Sequence, residues 1–455
     1  MACFVPSNPP STRLGHLRQL SKRAGVHVSP LQLGGMSIGE SAWTQMGMGQ
    51  MTKESSFKLL DTFWEAGGNF IDTAGFYQDG TSEQFIGEWA EQRGIRDQLV
   101  IATKYSNNFH LTPNSVARAA YSGNSAKSLR NAVNSSLKNL KTDYIDVFYL
   151  HFWDWDTSVE EIIDALHAYV VAGKILYLGV SNAPSWAVAR ANEYARRTGK
   201  TPFAIFQTMY SIMERSAERE ILPFVRDEGM AFAPFGVLAG GKLRSNADEE
   251  ARKASGEGGR NMPWSGGWER TAEEKQVCDR LEKVQGEVGA KSLTAVAIAY
   301  VLHKAPFVFP IVGGRKPEQL LANVEALEIS LTAEQIAYLD GAKPVDLGFP
   351  GFLIGDGSSY PQGLTWSTLD KVPRSEPIRP TKVATASPAQ AESAPTPAPE
   401  APQSEPASAS ATPTPVPPAP NGVSDKAPNG TLKIEKTETT DTFGHQWKWR
   451  NCGEW

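Results

Sequence analysis

The sequence predicts an α/β fold, a (β/α)8 TIM barrel followed by a disordered tail rich in Pro, Ala and Ser. Eight short runs that are apolar on both faces alternate with helix-length amphipathic segments, the pattern of a parallel sheet covered by helices. Eight such units within about 300 residues are enough to close on themselves. The rival, an open doubly wound sheet, would carry GxGxxG between its first strand and helix. Neither "GGMSIG" nor "GMGQMT" has that spacing.

Strands are expected at 31–35, 69–72, 99–104, 145–151, 175–181, 203–207, 230–235 and 307–313. Helices are expected at 53–66, 82–92, 125–139, 159–171, 184–197, 216–227, 271–288, 293–304 and 316–328. The barrel then occupies 25–342, after an extension at 1–24 and before a segment at 343–384 that wraps it or extends from it. Residues 385–455 read as a low-complexity tail. Between Pro388 and Pro420 there are 11 prolines, a composition that buries too little apolar area to offset the entropy of ordering. Trp447, Trp449 and Trp455 offer aromatic surface for docking an unidentified protein, and an extension without a role accounts for them equally well.

The net charge of -5 gives no basic footprint, so no nucleic-acid partner is expected. Cys3, Cys278 and Cys452 are odd in number and far apart, which argues against a disulfide framework and a zinc site, and for a reducing, cytoplasmic compartment. No run approaches about 18 apolar residues, so no membrane partner is expected. One ambiguity is "TRLGHLRQLSKRAG": it is basic, precedes the first acidic residue, Glu40, and sets Leu14, Leu17 and Leu20 at helical spacing, as a mitochondrial presequence does. No two of the seven histidines are spaced for ligation, so no metal is expected.

On such a barrel, chemistry sits at the carboxyl ends of the strands. Asp72 ends the second strand, Lys104 the third, His151 the fourth, Ser181 and Asn182 the fifth and Gln207 the sixth, while Phe232 lies within the seventh. Singly, each has a bland reading: a helix cap for the Asp, a snorkelling stem for the Lys, a structural imidazole for the His. Together they place a carboxylate, an ammonium and an imidazole on consecutive strands, with the phenol of Tyr77 a short loop beyond the first. Tyrosine ordinarily titrates near about 10, and a neighbouring ammonium favours phenolate, so Lys104, held by Asp72, is expected to lower the pKa of Tyr77. His151 would hydrogen-bond the carbonyl oxygen that Tyr77 protonates. Reducing a carbonyl also requires a hydride, which no side chain supplies, so a nicotinamide cofactor is implied.

"NFIDTAGFY", "IATK", "YIDVFYLH", "LGVSN", "FQTMYS" and "PIVGGRKPEQLLANVEAL", in this order over residues 25–342, resemble the aldo-keto reductase superfamily, most closely its fungal aryl-alcohol dehydrogenase and norsolorinic acid reductase branch. The resemblance implies a tetrad of Asp72, Tyr77, Lys104 and His151, with Tyr77 as general acid and NADP(H) as cofactor. It further implies Ser181, Asn182 and Gln207 at the nicotinamide carboxamide, and Phe232 stacked on the ring. Gly236, Leu238, Gly240, Gly241 and Lys242 would form a loop folding across the pyrophosphate. Gly313, Arg315, Lys316, Gln319 and Asn323 would lie around the adenosine 2'-phosphate. Ala322 departs from relatives that place a Glu toward adenine. Trp43, Met46, Met48, Phe109, Trp153 and Trp155 are candidates for an aromatic-lined substrate pocket suited to flat apolar carbonyls. The implied activity is reduction of aromatic aldehydes or polyketide-type ketones in fungal secondary metabolism. The alternative is an NADP-binding regulatory barrel resembling potassium-channel β subunits, with little turnover.

Overall fold

The structure is a computed structural model that describes residues 9–41, 43, 49–109, 117–256, 267–370 and 372–380. Met46, Met48 and the tail expected to be disordered, with its three tryptophans, lie outside the described residues. Each of the eight apolar runs holds one strand of a single parallel sheet: β3 (Gln32–Gly34), β4 (Phe70–Asp72), β5 (Val100–Tyr105), β6 (Ile145–Leu150), β7 (Ile175–Ser181), β8 (Phe203–Met209), β9 (Ala231–Phe235) and β10 (Ile311–Val312). The order runs from β10 through β3 to β9. The Phe232 N–H donates to the Phe307 carbonyl and the Phe309 N–H to the Phe232 carbonyl, each at 2.8 Å, and these two bonds bring the last strands together and close the barrel.

Helices α1 (Lys53–Glu65), α2 (Thr81–Arg93), α3 (Ala126–Asn139), α4 (Val159–Val171), α5 (Ser185–Arg197) and α6 (Ile221–Glu228) follow the strands as the periodicity predicts, and so do α8 (Ala272–Val288), α9 (Leu293–Leu302) and α10 (Pro317–Val324). Their starts are set by local chemistry. Thr52, Ser125, Ser158, Thr271 and Ser292 each accept the backbone N–H three residues on. Each such cap is worth about 1 kcal/mol. The glycine-rich stretch after β9, expected to be a loop, contains a further helix, α7 (Asn246–Ser255), nucleated by a reciprocal cap between Ser245 and Asp248.

Side-chain alternation gives the barrel two cores. One lies between sheet and helices and includes Ile71, Ile101, Phe148, Phe206 and Phe232. The other fills the lumen with Phe70, Val100, Ala102, Val147, Tyr149, Ile205, Ala231 and Ala233. Because the strand period is two, a residue two beyond a lumen residue also faces the lumen. Asp72 therefore follows Phe70, Lys104 follows Ala102, His151 follows Tyr149 and Gln207 follows Ile205, and all four project at the carboxyl end.

Beyond one 3-10 turn at Arg13–Gly15, the basic N-terminal stretch is not helical. It forms an antiparallel hairpin, β1 (Arg18–Ser21) with β2 (Ala24–Val28), and Leu20, Ala24 and Val28 pack against Phe70, Val100 and Val147 as the floor of the lumen. The turn is fixed by Ser21, whose Oγ accepts from the Arg23 N–H at 3.1 Å, and this local bond prevails over the helical leucine spacing. After the last barrel helices, residues 340–356 are tied down by Arg215, which donates to the carbonyls of Asp340 (2.9 Å) and Lys343 (3.0 Å), and by Arg226, which pairs with Asp356 (2.9 Å).

His303, at the end of α9, is 6% exposed, and burial, followed by the charges of Arg379 and Arg18, pushes its pKa from 6.5 down to about 4. The folded value is the lower one, so both states are neutral above about 6.5. As the pH falls toward about 4, only the unfolded chain takes up the proton, and stability is lost across that window. From neutral pH to about pH 4.5, the wild type is therefore expected to lose roughly 2 kcal/mol more than His303→Gln, as measured by denaturant unfolding.

Candidate active site

Lys104 and Asp72 form the centre of the carboxyl-end cluster. The Lys104 ammonium donates to both Asp72 oxygens, at 2.8 and 2.7 Å, and to the Thr73 carbonyl at 2.7 Å. Its side chain has no solvent exposure and that of Asp72 has 4%. Gln207, from β8, donates to Asp72 Oδ1 at 2.8 Å. Burial pulls the Lys104 pKa down, and the carboxylate opposes that pull.

The loop beyond β4 continues along β5 before it turns: Thr73 N–H donates to Ala102 O at 2.8 Å and Gly75 N–H to Lys104 O at 3.2 Å. These two bonds fix the chain so that Tyr77 arrives beside the ion pair. Lys104 Nζ lies 5.1 Å from the centre of the Tyr77 ring, and the His151 ring lies edge-on to Tyr77 at 6.0 Å. One expectation fails here. Burial and then the charge of Asp72 hold the Tyr77 phenol well above its ordinary pKa. Every donor of the ammonium is aimed at Asp72 and Thr73, so it does not act on Tyr77 as a free cation would. His151 is pushed the opposite way: burial, then the Lys104 charge, holds its pKa well below 6.5, so the imidazole is neutral.

Ser181 is fully buried and its Oγ has no hydrogen-bond partner among the described residues; nor has His151 Nδ1. Buried polar atoms are nearly always satisfied, so two orphans at the ends of adjacent strands mark a place that a polar ligand group would complete. Asn182, at φ +46°, donates through Nδ2 to the His151 carbonyl at 3.1 Å, with the rest of its side chain in solvent. Phe232 is not brought to this mouth. It packs between sheet and helices, edge-on to Tyr210 at 5.7 Å, because Ala231 and Ala233 take the lumen face. Phe235, half-buried and on the same parity as Ala233, is the aromatic that β9 carries to the rim; counting alternation from Ala231 would have found it.

Gly236, Leu238, Gly240 and Gly241 follow in a half-exposed turn, but Lys242 pairs with Glu274 of α8 at 2.8 Å. Gly313, Arg315, Lys316 and Gln319 are exposed around the start of α10, and Asn323 is buried on it. The Arg315 side chain lies along the backbone of Gly49, where an added Cβ would stand 3.0 Å from Arg315 Cδ. Trp43 joins the site, edge-on to Tyr77 at 6.1 Å, with its indole N–H bonded to Asp79 at 3.0 Å. Phe109 is half-buried against Tyr121, and Trp153 is half-buried with its N–H on the Asn182 carbonyl. Trp155 instead stands 71% exposed, paired with the exposed Trp186 at 6.4 Å.

Three supporting residues were missed in the sequence. Ser106 Oγ accepts from the His151 N–H (3.1 Å) and donates to Asn124 (2.5 Å), fixing where the imidazole leaves β6. Tyr149 lies beneath Lys104, its ring centre 5.6 Å from Nζ, so the ammonium sits between two tyrosine rings. The space for Tyr149 comes from Gly179 on β7, where a Cβ would meet Tyr149 Cδ1 and Cε1 at 2.5 Å. Gly179→Ala is expected to cost about 1–3 kcal/mol through overpacking, measured by unfolding against Gly25→Ala, where a Cβ meets nothing within 4 Å.

A model of the aldo/keto reductase family matches residues 30–344. An aryl-alcohol dehydrogenase (NADP(+)) of Phanerodontia chrysosporium is 52% identical over 389 residues, covering 84% of this chain and 100% of its own length. An aryl-alcohol dehydrogenase of Pestalotiopsis microspora is 45% identical over 83% of this chain and 96% of its own. A norsolorinic acid reductase of Aspergillus flavus is 44% identical over the same shares. With the match running from just before β3 to beyond the last barrel helices, the chain belongs to the aldo/keto reductase family of oxidoreductases.

Proposed function

We propose that this chain is an NADPH-dependent reductase of aromatic aldehydes or polyketide-type ketones, running as an aryl-alcohol dehydrogenase when oxidised cofactor dominates. The observation that carries the reading is the pairing of a neutral buried phenol, Tyr77, with the neutral, half-buried imidazole of His151, edge-on at 6.0 Å, beside a carboxylate-bound ammonium. The orphaned Ser181 Oγ and the amide of Asn182 suit the nicotinamide carboxamide, which offers both a donor and an acceptor. Phe235 replaces Phe232 as the ring that stacks against the nicotinamide. Arg315 and Lys316, exposed before the N-terminus of α10, suit the 2'-phosphate.

The cofactor supplies the hydride. His151, with no proton to spare beyond its one ring N–H, orients the substrate carbonyl by donating that hydrogen bond. Tyr77 gives its hydroxyl proton to the carbonyl oxygen as negative charge develops there, and an alkoxide is basic enough to take it even from a phenol of raised pKa. The Lys104 ammonium, 5.1 Å from the ring centre, offsets the charge left on the phenolate. Asp72 and Thr73 hold that ammonium in place, and Gln207 holds Asp72. Trp43 and Trp153 wall the aromatic part of the substrate.

Tyr77→Phe is expected to lower kcat for NADPH oxidation with an aromatic aldehyde by about 10²–10⁴ with little change in KM. Tight NADPH binding without turnover in the wild type would instead favour a regulatory barrel. Because the phenol stays protonated well past neutrality, reductive kcat should not fall between about pH 7 and about pH 9, whereas the oxidative rate, which needs the phenolate, should rise over the same range. Arg315→Ala should raise KM for NADPH about tenfold or more and leave KM for NADH unchanged, since a hydrogen bond to a charged group is worth about 1.5–3 kcal/mol.

A further inference from the structure

At the amino end of the barrel, away from the catalytic mouth, the hairpin and the segment before Pro380 enclose a cavity of about 440 Å³, within the range of small-molecule sites. Three guanidiniums line it: Arg13, Arg18 and Arg379. Phe307, Leu327 and Ile378 make its apolar walls. At the edge, Glu328 holds Arg13 at 3.4 Å and is itself 59% exposed. Arg379 is tethered by donating to the Leu331 carbonyl. Arg18, held in strand β1 against Val28, makes no ion pair or hydrogen bond through its guanidinium to any described residue.

Partly buried charges are ordinarily paired, and like charges gathered without a counter-charge are unfavourable. Here burial, then the neighbouring charge of Arg13, lowers the Arg18 pKa to about 10. The buried His303 lies near enough to feel both Arg18 and Arg379, and its Nδ1 is unpartnered among the described residues. Among the described residues the guanidinium of Arg18 thus has no partner, and it lines the same cavity as Arg379, which is tethered to a carbonyl rather than to a carboxylate. We propose that this cavity is a binding site for a small phosphate-bearing anion, taken up by the forks of Arg18 and Arg379 with Arg13 at its edge. Guanidinium planes match phosphate oxygens in paired hydrogen bonds, which favours phosphate over a point-charge halide. The site lies on the face of the barrel that governs stability rather than chemistry, so its occupant stabilises the hairpin floor.

The test is thermal unfolding of the full chain with saturating NADP+, so that the cofactor's own phosphate site is filled, in inorganic pyrophosphate against sodium chloride of equal ionic strength. At about 5 mM pyrophosphate the wild-type midpoint should rise by about 2 °C or more, and Arg18→Gln and Arg379→Gln should each weaken the binding that produces it at least about tenfold. Isothermal calorimetry on the same proteins gives the affinity directly, and turnover at the opposite mouth should be unchanged in both variants. Equal responses from wild type and both variants would mean a general salt effect and overturn the proposal. So would no response in the wild type, or a stronger response to citrate than to pyrophosphate.

Discussion

The ammonium of Lys104 is buried in the lumen because three acceptors are waiting there: both oxygens of Asp72 and the carbonyl of Thr73. Removing one partner of such a pair leaves an uncompensated charge in a dry site and costs about 3–5 kcal/mol. The pair is therefore a constraint on the barrel as well as a feature of it. Asp72 comes from β4, Lys104 from β5 and the supporting amide of Gln207 from β8, across the lumen. Any shift in register along these strands would part them. The pair also acts on its two neighbours in opposite senses. The negative end raises the phenol of Tyr77, the positive end depresses the imidazole of His151, and both effects add to burial. An internal ion pair thus keeps two adjacent groups neutral.

That cluster rests on packing a layer deeper. Tyr149 fills the lumen under Lys104 only because β7 presents Gly179 at the matching register, Tyr149 against Gly179. Outside the lumen, Ser106, Asn124 and Asn182 take the backbone groups on either side of His151 and fix the point where β6 ends. Side chains that never meet a substrate set the position of those that would.

The sequence made the strands and the four central residues readable because both depend on short-range patterns: apolar runs, and polar residues two beyond a lumen position. Family spacing puts a stacking ring at Phe232, but alternation does not: Ala231 and Ala233 are small enough to fill the narrow lumen, and Phe232 must then point outward. The lowered phenol pKa expected of Tyr77 was wrong for a different reason. Sequence tells that an ammonium is near, but not that all its donors are already committed. The hairpin at 18–28 was hidden by leucines at helical spacing, and what decides its shape is one serine in a tight turn. Trp155 could not be assigned from composition, since an aromatic after a strand can cap the mouth or stand clear of it, and only the backbone, here at φ +66°, decides.

The segment after β9 is held by charge pairs rather than by apolar packing alone. Beyond the loop at 236–242, α7 is held by the buried Glu249, which accepts from Arg270 at 2.6 Å and lies within 3.7 Å of Arg244. Arg270 also donates to the Arg244 carbonyl and to Asn246, so both ends of the helix start are fastened to the residues before α8. Unfastening them would expose a charge pair that is 2% exposed or less, a cost no loop closure repays. Between Phe235 and Lys242 the chain turns through left-handed Gly236, Ala239, Gly240 and Gly241, while Val237 is buried and Leu238 and Ala239 pack on the core. α7 is thus fastened to the residues before α8, and the turn at 236–242 is fastened to α8 itself through Lys242 and Glu274.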